Sequence, residues 1–246
     1  MRTQEETPPR PHDARRDRWT AHRAQRRQEF VAAALRVLTA HGPELPMDAV
    51  AAEAGVTKPV LYRYFADKAA LVGALGEYAS ALLQERLVPA LTADGPAMAR
   101  IRDGVGAYFA IIDDNPDLYW LLARHGGADS SPGPGVVARQ KEFIATTLTA
   151  VYGDYLRSFG LDSGAAEPWA FGITGLVQST GEWWLDRRSM SRAHVIDYVS
   201  QLIWWALTGV LHEAGITADP DAPVPPARPL LSLRTGGLAA GSRGPR

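Results

Sequence analysis

The chain has 246 residues, 46% hydrophobic and 22% charged, enough at ~100–200 residues per domain for one large or two modest domains with a buried core. It has no cysteine, which excludes a disulfide framework, an iron–sulfur cluster, a cysteine zinc site and a thiol nucleophile. Net charge is −1, yet residues 1–68 hold 12 Lys+Arg against 9 Asp+Glu while residues 69–246 hold 14 against 18, so the first part is mildly basic.

In chain order, residues 1–19 are charged and proline-bearing and are expected to be a disordered basic arm. Arg15, Arg16, Arg18, Arg23, Arg26 and Arg27 crowd the start of the chain, strengthening the local positive field. Charge and proline stand where a signal peptide needs an apolar run. A first helix is expected from Thr20 to His41, stopped by Gly42-Pro43. Short helices follow over Met47–Ala54, closed by Gly55, and Lys58–Phe65. Asp67 can cap a longer helix that runs to Pro89. Further helices are expected from Pro96 to about Asp114, from Asn115-Pro116 through DLYWLLAR, from Val136 to Phe159, from Glu167-Pro168 to about Arg188, and from Ser191 to Ala214. The last carries Val195, Val199, Leu202, Ala206 and Val210 at helical spacing. Its apolar core, Val199 to Leu211, is shorter than the ~20 residues a bilayer span needs, so no membrane partner is expected. Residues 217–246 are rich in Pro and Gly and are expected to be a disordered tail. No window alternates with the period of a strand. The expected architecture is all-α, with residues 20–66 forming one domain and 67–216 a larger second one.

The segment PMDAVAAEAGVTKPVLYRYFADKAAL, Pro46 to Leu71, carries the functional signal. Val50 and Ala51 face inward, Gly55 permits a left-handed turn, Val56 plugs it from beneath, and Leu61 with Phe65 anchors the next helix. These are the marks of a helix-turn-helix, whose second helix presents its N-terminal residues to the major groove. With Leu61 and Phe65 inward, Lys58, Tyr62 and Arg63 must point outward, an unfavourable placement for an aromatic ring without a partner surface.

The run AxxAGVTKPVLYRYFxDKxxL resembles the DNA-binding domain of TetR-family transcriptional repressors, closely over about residues 24–72. The resemblance implies an all-α homodimer that binds double-stranded DNA at a palindromic operator and a small effector in its C-terminal domain. It implies base contacts from Lys58, Pro59 and Tyr62, with Val60 against a thymine methyl. Thr57, Tyr64 and Lys68 would hold phosphates, and Arg63 could serve either purpose. Arg16 and Arg18, with Arg15, could enter the minor groove. Many members place Thr or Ser where this chain has Pro46, which has no N–H to offer a phosphate.

The last two helices resemble the family's dimer-forming pair, making Ile173, Val177, Leu202, Trp205 and Val210 interface candidates. Tyr108, Phe109, Ile112, Tyr119, Trp120, Leu122, Phe143, Thr147, Leu176 and Trp184 are candidates to line a pocket. Their apolar character suits a hydrophobic small-molecule effector. The TGLVQSTGEWWLDRRSMSR region is also similar to actinobacterial regulators of lipid metabolism that respond to long-chain acyl-CoA. The six histidines are scattered and no metalloprotease, paired-carboxylate or phosphate-loop motif stands out. The reading is therefore a cytoplasmic non-enzyme with no cofactor and no metal; a lipid carrier with the same cavity but no DNA role is the competing class.

Overall fold

The computed structural model describes the backbone of residues 11–125 and 135–224 and the side chains of residues 19–124 and 135–222. In order the elements are α1 (Pro11–His41), α2 (Met47–Glu53), α3 (Lys58–Tyr62), α4 (Lys68–Leu82), a π turn (Leu83–Leu87), α5 (Val88–Thr92), β1 (Gly95–Pro96), α6 (Ala97–Asp114), α7 (Pro116–His125), α8 (Val136–Ser158), α9 (Ala166–Arg187), α10 (Arg192–Glu213) and β2 (Pro223–Val224). The fold is all-α. Among the described residues there is one ladder, β1 with β2, antiparallel and two residues long.

Contacts gather the chain into two units, Met1–Leu82 with Ile112–Arg139, and Leu83–Ile111 with Gln140–Arg246. The first is built around Phe30, Leu38, Leu45, Val50, Leu61, Phe65, Leu71 and Leu75, all enclosed, with Leu118, Leu121 and Leu122 of α7 in the same cluster. In the second, Leu83, Leu87 and Ile111 form one cluster and Leu156, Ala166 and Leu211 another.

Several boundaries follow local chemistry. Gly42 ends α1 with φ +72° and donates its N–H to the Leu38 carbonyl at 2.8 Å, a left-handed stop that glycine adopts without strain. Asp67 Oδ1 accepts from the Ala70 N–H at 2.7 Å, satisfying one orphan donor of α4. Ser191 does the same for His194 at the start of α10.

Four expectations are corrected. Helix α1 begins at Pro11, so the backbone of residues 11–19 is helical rather than disordered. Proline suits a first helical turn, and the alanine and arginines after it favour helix. Residues 1–10 and the side chains of Arg15, Arg16 and Arg18 lie outside the described residues. The fourth helix does not stop at Pro89 but continues to Thr92. Pro89 has no N–H for the carbonyl four residues back, and the wider π turn just ahead of it lets the chain pass without ending the helix. The recognition helix is shorter than expected and ends at Tyr62, after which Tyr64 and Phe65 both donate to the Leu61 carbonyl in a tightened last turn.

The fourth correction concerns residues 217–224, which are placed rather than disordered. Carbonyls of Ala222 and Pro220 accept from the N–H groups of Ala97 and Met98, each at 3.3 Å. Those are orphan donors of the first turn of α6, so the proline-rich segment serves as that helix's cap. Residues 225–246 lie outside the described residues.

Candidate nucleic-acid interface

The first unit presents a helix-turn-helix. Met47, Val50 and Ala51 bury the inner face of α2. Gly55 takes φ +65°, and the Val56 N–H reaches the Ala51 carbonyl at 2.9 Å, closing the turn. Thr57 begins α3 in extended backbone with no side-chain capping bond, and Pro59 sits in the first turn, where proline is tolerated. Leu61 and Phe65 are enclosed. Thr57, Lys58, Pro59, Tyr62 and Arg63 are exposed together, Tyr62 to 40%.

The remaining candidates sit deeper. Val60 and Tyr64 are half-buried against the core, and the Tyr64 ring lies 5.0 Å from that of Phe30. Lys68 is half-buried, its ammonium donating to the Glu44 carbonyl at 2.7 Å, while Arg124 approaches the Glu44 carboxylate at 3.7 Å. These ties hold a short loop in which buried Leu45 takes φ +46°, a costly conformation for a leucine that surrounding packing must maintain. Pro46 precedes α2 in extended backbone, its carbonyl accepting from Val50.

Two contacts on this surface escaped sequence reading. Arg27 lays its guanidinium over the Phe65 ring at 4.5 Å and donates to the Tyr64 carbonyl at 3.4 Å, tying α1 to the end of the recognition segment. Lys58 Nζ meets both carboxylate oxygens of Asp48, at 2.9 and 3.1 Å. The hydrogen bond and charge of Asp48 hold the lysine above its ordinary range.

The second unit is apolar and aromatic. Tyr108, Phe109 and Trp184 stack edge to face, with centroids 6.0 and 5.6 Å apart. Trp184 is fully engaged, since its indole N–H donates to the Met190 carbonyl at 2.9 Å and Arg188 covers its ring at 4.1 Å. Thr147 is buried with its hydroxyl on the Phe143 carbonyl, and Phe143 and Leu176 are half-buried. Ser200 is enclosed, and its hydroxyl has no hydrogen-bond partner; a buried orphan of this kind calls for an explanation. Arg100 is only 8% exposed and donates to the Leu91 carbonyl at 2.7 Å. Burial pushes the nearby Tyr152 phenol above its ordinary range, with Arg100 opposing the shift.

The other pocket candidates fall in the first unit. Leu122 belongs to its core and Ile112 is buried, whereas Tyr119 and Trp120 are half-buried with rings 5.5 Å apart. The interface candidates divide by depth. Leu202 at 50%, Trp205 at 64% and Val210 are exposed on α10, while Ile173 and Val177 on α9 are half-buried. Of the apolar stripe read on α10, Val195 and Val199 are buried but Leu202, Ala206 and Val210 are not; Ile203 and Leu211 turn inward instead. The exposed face adds Tyr198, and α9 adds Phe171 and Trp183. Among the described residues no group of His, Asp or Glu is placed to hold a metal ion, and no helix is long and apolar enough to cross a membrane.

Residues 30–75 match the family described as bacterial regulatory proteins, tetR family. Residues 86–218 match the tetracyclin repressor-like C-terminal domain. The chain is 34% identical over 204 residues to the uncharacterized HTH-type transcriptional regulator Rv0472c of Mycobacterium tuberculosis, covering 82% of this chain and 86% of that one. It is 28% identical over 190 residues to the HTH-type transcriptional activator FasR of Mycolicibacterium smegmatis, covering 76% and 85%. The crystal structure of a tetR-family transcriptional regulator from Streptomyces coelicolor aligns with a TM-score of 0.58 at 25% identity, over 78% of this chain and 83% of that one. AibR, solved in complex with isovaleryl coenzyme A and operator DNA, shares the fold with a TM-score of 0.55 at 17% identity, over 72% and 97%. With a packed helix-turn-helix, an apolar helical second unit and both family domains in sequence, the chain belongs to the TetR family of bacterial transcriptional regulators.

Proposed function

We propose that this regulator works in the cytoplasm as a two-fold dimer that reads a palindromic operator and is released from it when a hydrophobic effector, a fatty acyl-CoA, binds its C-terminal helices. The observation that carries the DNA reading is the single exposed face bearing Thr57, Lys58, Pro59, Tyr62 and Arg63 above an enclosed Leu61 and Phe65. Lys58 and Tyr62 would read base edges, and Thr57, Tyr64 and Lys68 would set register on phosphates. Arg16 and Arg18, in the early turns of α1, add charge beside the duplex.

Exposed Tyr198, Leu202, Trp205 and Val210 form a face of α10 that a second copy would cover. The aromatic second unit suits an acyl chain held by buried area, with the Ser200 hydroxyl as a polar handle. AibR's capture with isovaleryl coenzyme A supports an acyl-CoA as the first effector to try. An activator response is the second reading, favoured by the relative FasR being a transcriptional activator.

Enrichment of an operator from a random duplex library, followed by gel shifts with and without acyl-CoAs of increasing chain length, tests the proposal. A palindromic operator released by long acyl-CoAs is expected, and tighter binding with the same ligands would favour the activator reading. Failure to enrich any sequence overturns the DNA reading. Response only to small hydrophilic compounds overturns the effector reading.

A further inference from the structure

Lys58 stands on the outward face of α3, yet its ammonium lies against both carboxylate oxygens of Asp48, at 2.9 and 3.1 Å. Asp48 is in the first turn of α2, where the helix dipole favours an anion, and it belongs to no part of the base-reading set. Its side chain is 75% exposed and that of Lys58 46%, so both groups remain open to a partner. A carboxylate that takes a lysine with two oxygens imitates a phosphate or a guanine edge, the acceptors DNA offers to the same ammonium. Lys58 therefore approaches a duplex already neutralised, with the carboxylate itself repelled by any phosphate nearby.

Resting on the DNA-reading function proposed above, we infer that Asp48 is an affinity-limiting residue that holds Lys58 in an autoinhibitory contact until a sequence supplies a better acceptor. On unrelated DNA the exchange gains little, because a solvated phosphate replaces a two-oxygen carboxylate. On the operator the O6 and N7 of a guanine, held in register by the other contacts, displace Asp48. Opening the pair is a cost the operator complex bears in full, whereas on unrelated DNA Lys58 can stay with Asp48, so the pair lowers operator affinity at least as much as non-specific affinity. Exposed ion pairs are weak, which makes the lock easy to open; the expected effect is a few-fold.

The test uses full-length wild type, Asp48→Asn, Lys58→Ala and the double variant. Each is titrated by fluorescence anisotropy against a mixed-sequence duplex of about 30 base pairs and against the operator enriched with wild type, over a range of salt concentrations. Asp48→Asn is expected to tighten the operator about threefold and the mixed duplex by no more than that factor, and to steepen the log–log salt slope on the mixed duplex by about one per chain engaged. The operator-to-random ratio is expected to hold or to rise. In the Lys58→Ala background the same substitution is expected to gain less affinity and to steepen the slope less than beside Lys58, which separates release of Lys58 from removal of a repelling charge. An unchanged operator affinity in Asp48→Asn, or an equal gain with and without Lys58, overturns the inference while leaving DNA binding standing. Absence of salt-dependent DNA binding by wild type overturns both. Thermal melts of the four proteins check folding; a loss of stability in Asp48→Asn with no change in binding assigns the pair to structure and rejects the inference.

Discussion

Trp205→Ala tests whether the outward face of α10 is covered by a second copy. Trp205 is 64% exposed on the single chain, and a tryptophan buries up to ~250 Å², so roughly 150 Å² awaits cover. At ~25 cal/mol per Å² that area is worth about 3–4 kcal/mol for each chain. Ordering costs and imperfect complementarity reduce the yield; about half of it, counted twice by the two-fold axis, still weakens dimerisation by roughly 100- to 1000-fold. Sedimentation velocity from nanomolar to high micromolar protein measures the dissociation constant, and far-UV circular dichroism follows the helices. Dissociation at micromolar concentration with helicity retained is the expected outcome, because the side chain contributes little to its own chain's core. Ile203→Ala, two residues away but only 3% exposed, is expected instead to destabilise each chain by about 2–4 kcal/mol. A Trp205→Ala protein whose dimer constant stays within about threefold of wild type would refute the assignment of this face.

Lys68→Ala removes an ammonium that holds the Glu44 carbonyl at 2.7 Å and should lower the DNA salt slope by about one per chain, with similar losses on operator and mixed-sequence duplexes in a fluorescence titration. Arg27→Ala removes the guanidinium over Phe65 and its bond to the Tyr64 carbonyl, which should cost about 1 kcal/mol and be visible as reduced urea stability. Tyr152→Phe should resist alkali better than wild type. Burial raises the phenol in the folded chain, so its stabilising effect is complete below the unfolded phenol's pKa of about 10 and falls as pH rises beyond it toward the folded value. Melting temperatures between pH 8 and 11 measure the difference, and parallel curves for the two proteins would reject this role for Tyr152.

The helix-turn-helix was readable because its signals are local: a glycine that must take positive φ, a valine one residue later, and two inward residues four apart. The Asp48–Lys58 pair was not, since the partners lie on separate helices and a carboxylate ten residues from a lysine carries no period. Periodicity located α10 but not its orientation. Apolar residues run round most of that helix, so Leu202 and Ile203 look alike in sequence while one is half uncovered and the other enclosed. The same ambiguity affects the pocket set. Leu122 and Trp184 read as lining residues, but spacing does not separate a wall from a core, and Leu122 lies in the first unit's core. The placed stretch 217–224 escaped because its role is backbone capping, which leaves no apolar pattern.

That capping gives two amides an unusual dependence. Ala97 and Met98 donate to carbonyls of Ala222 and Pro220, held at the far end of the second unit's sequence, so their protection does not come from α6 itself. Ala218 packs on the Leu156, Ala166 and Leu211 cluster while Thr217, Asp219, Pro220 and Asp221 are exposed, and stretches so placed open locally at a small fraction of the global free energy. In hydrogen exchange these two amides should trade deuterium together, faster than the rest of α6 and in step with Ala222, whose own N–H donates to the Asp219 carbonyl at 3.2 Å. The closure joins Gly95 to Val224 across most of the second unit, and long-range pairings of that kind form late in folding. The beginning of α6 is therefore both the last part of the helix to become protected during refolding and the first to be released.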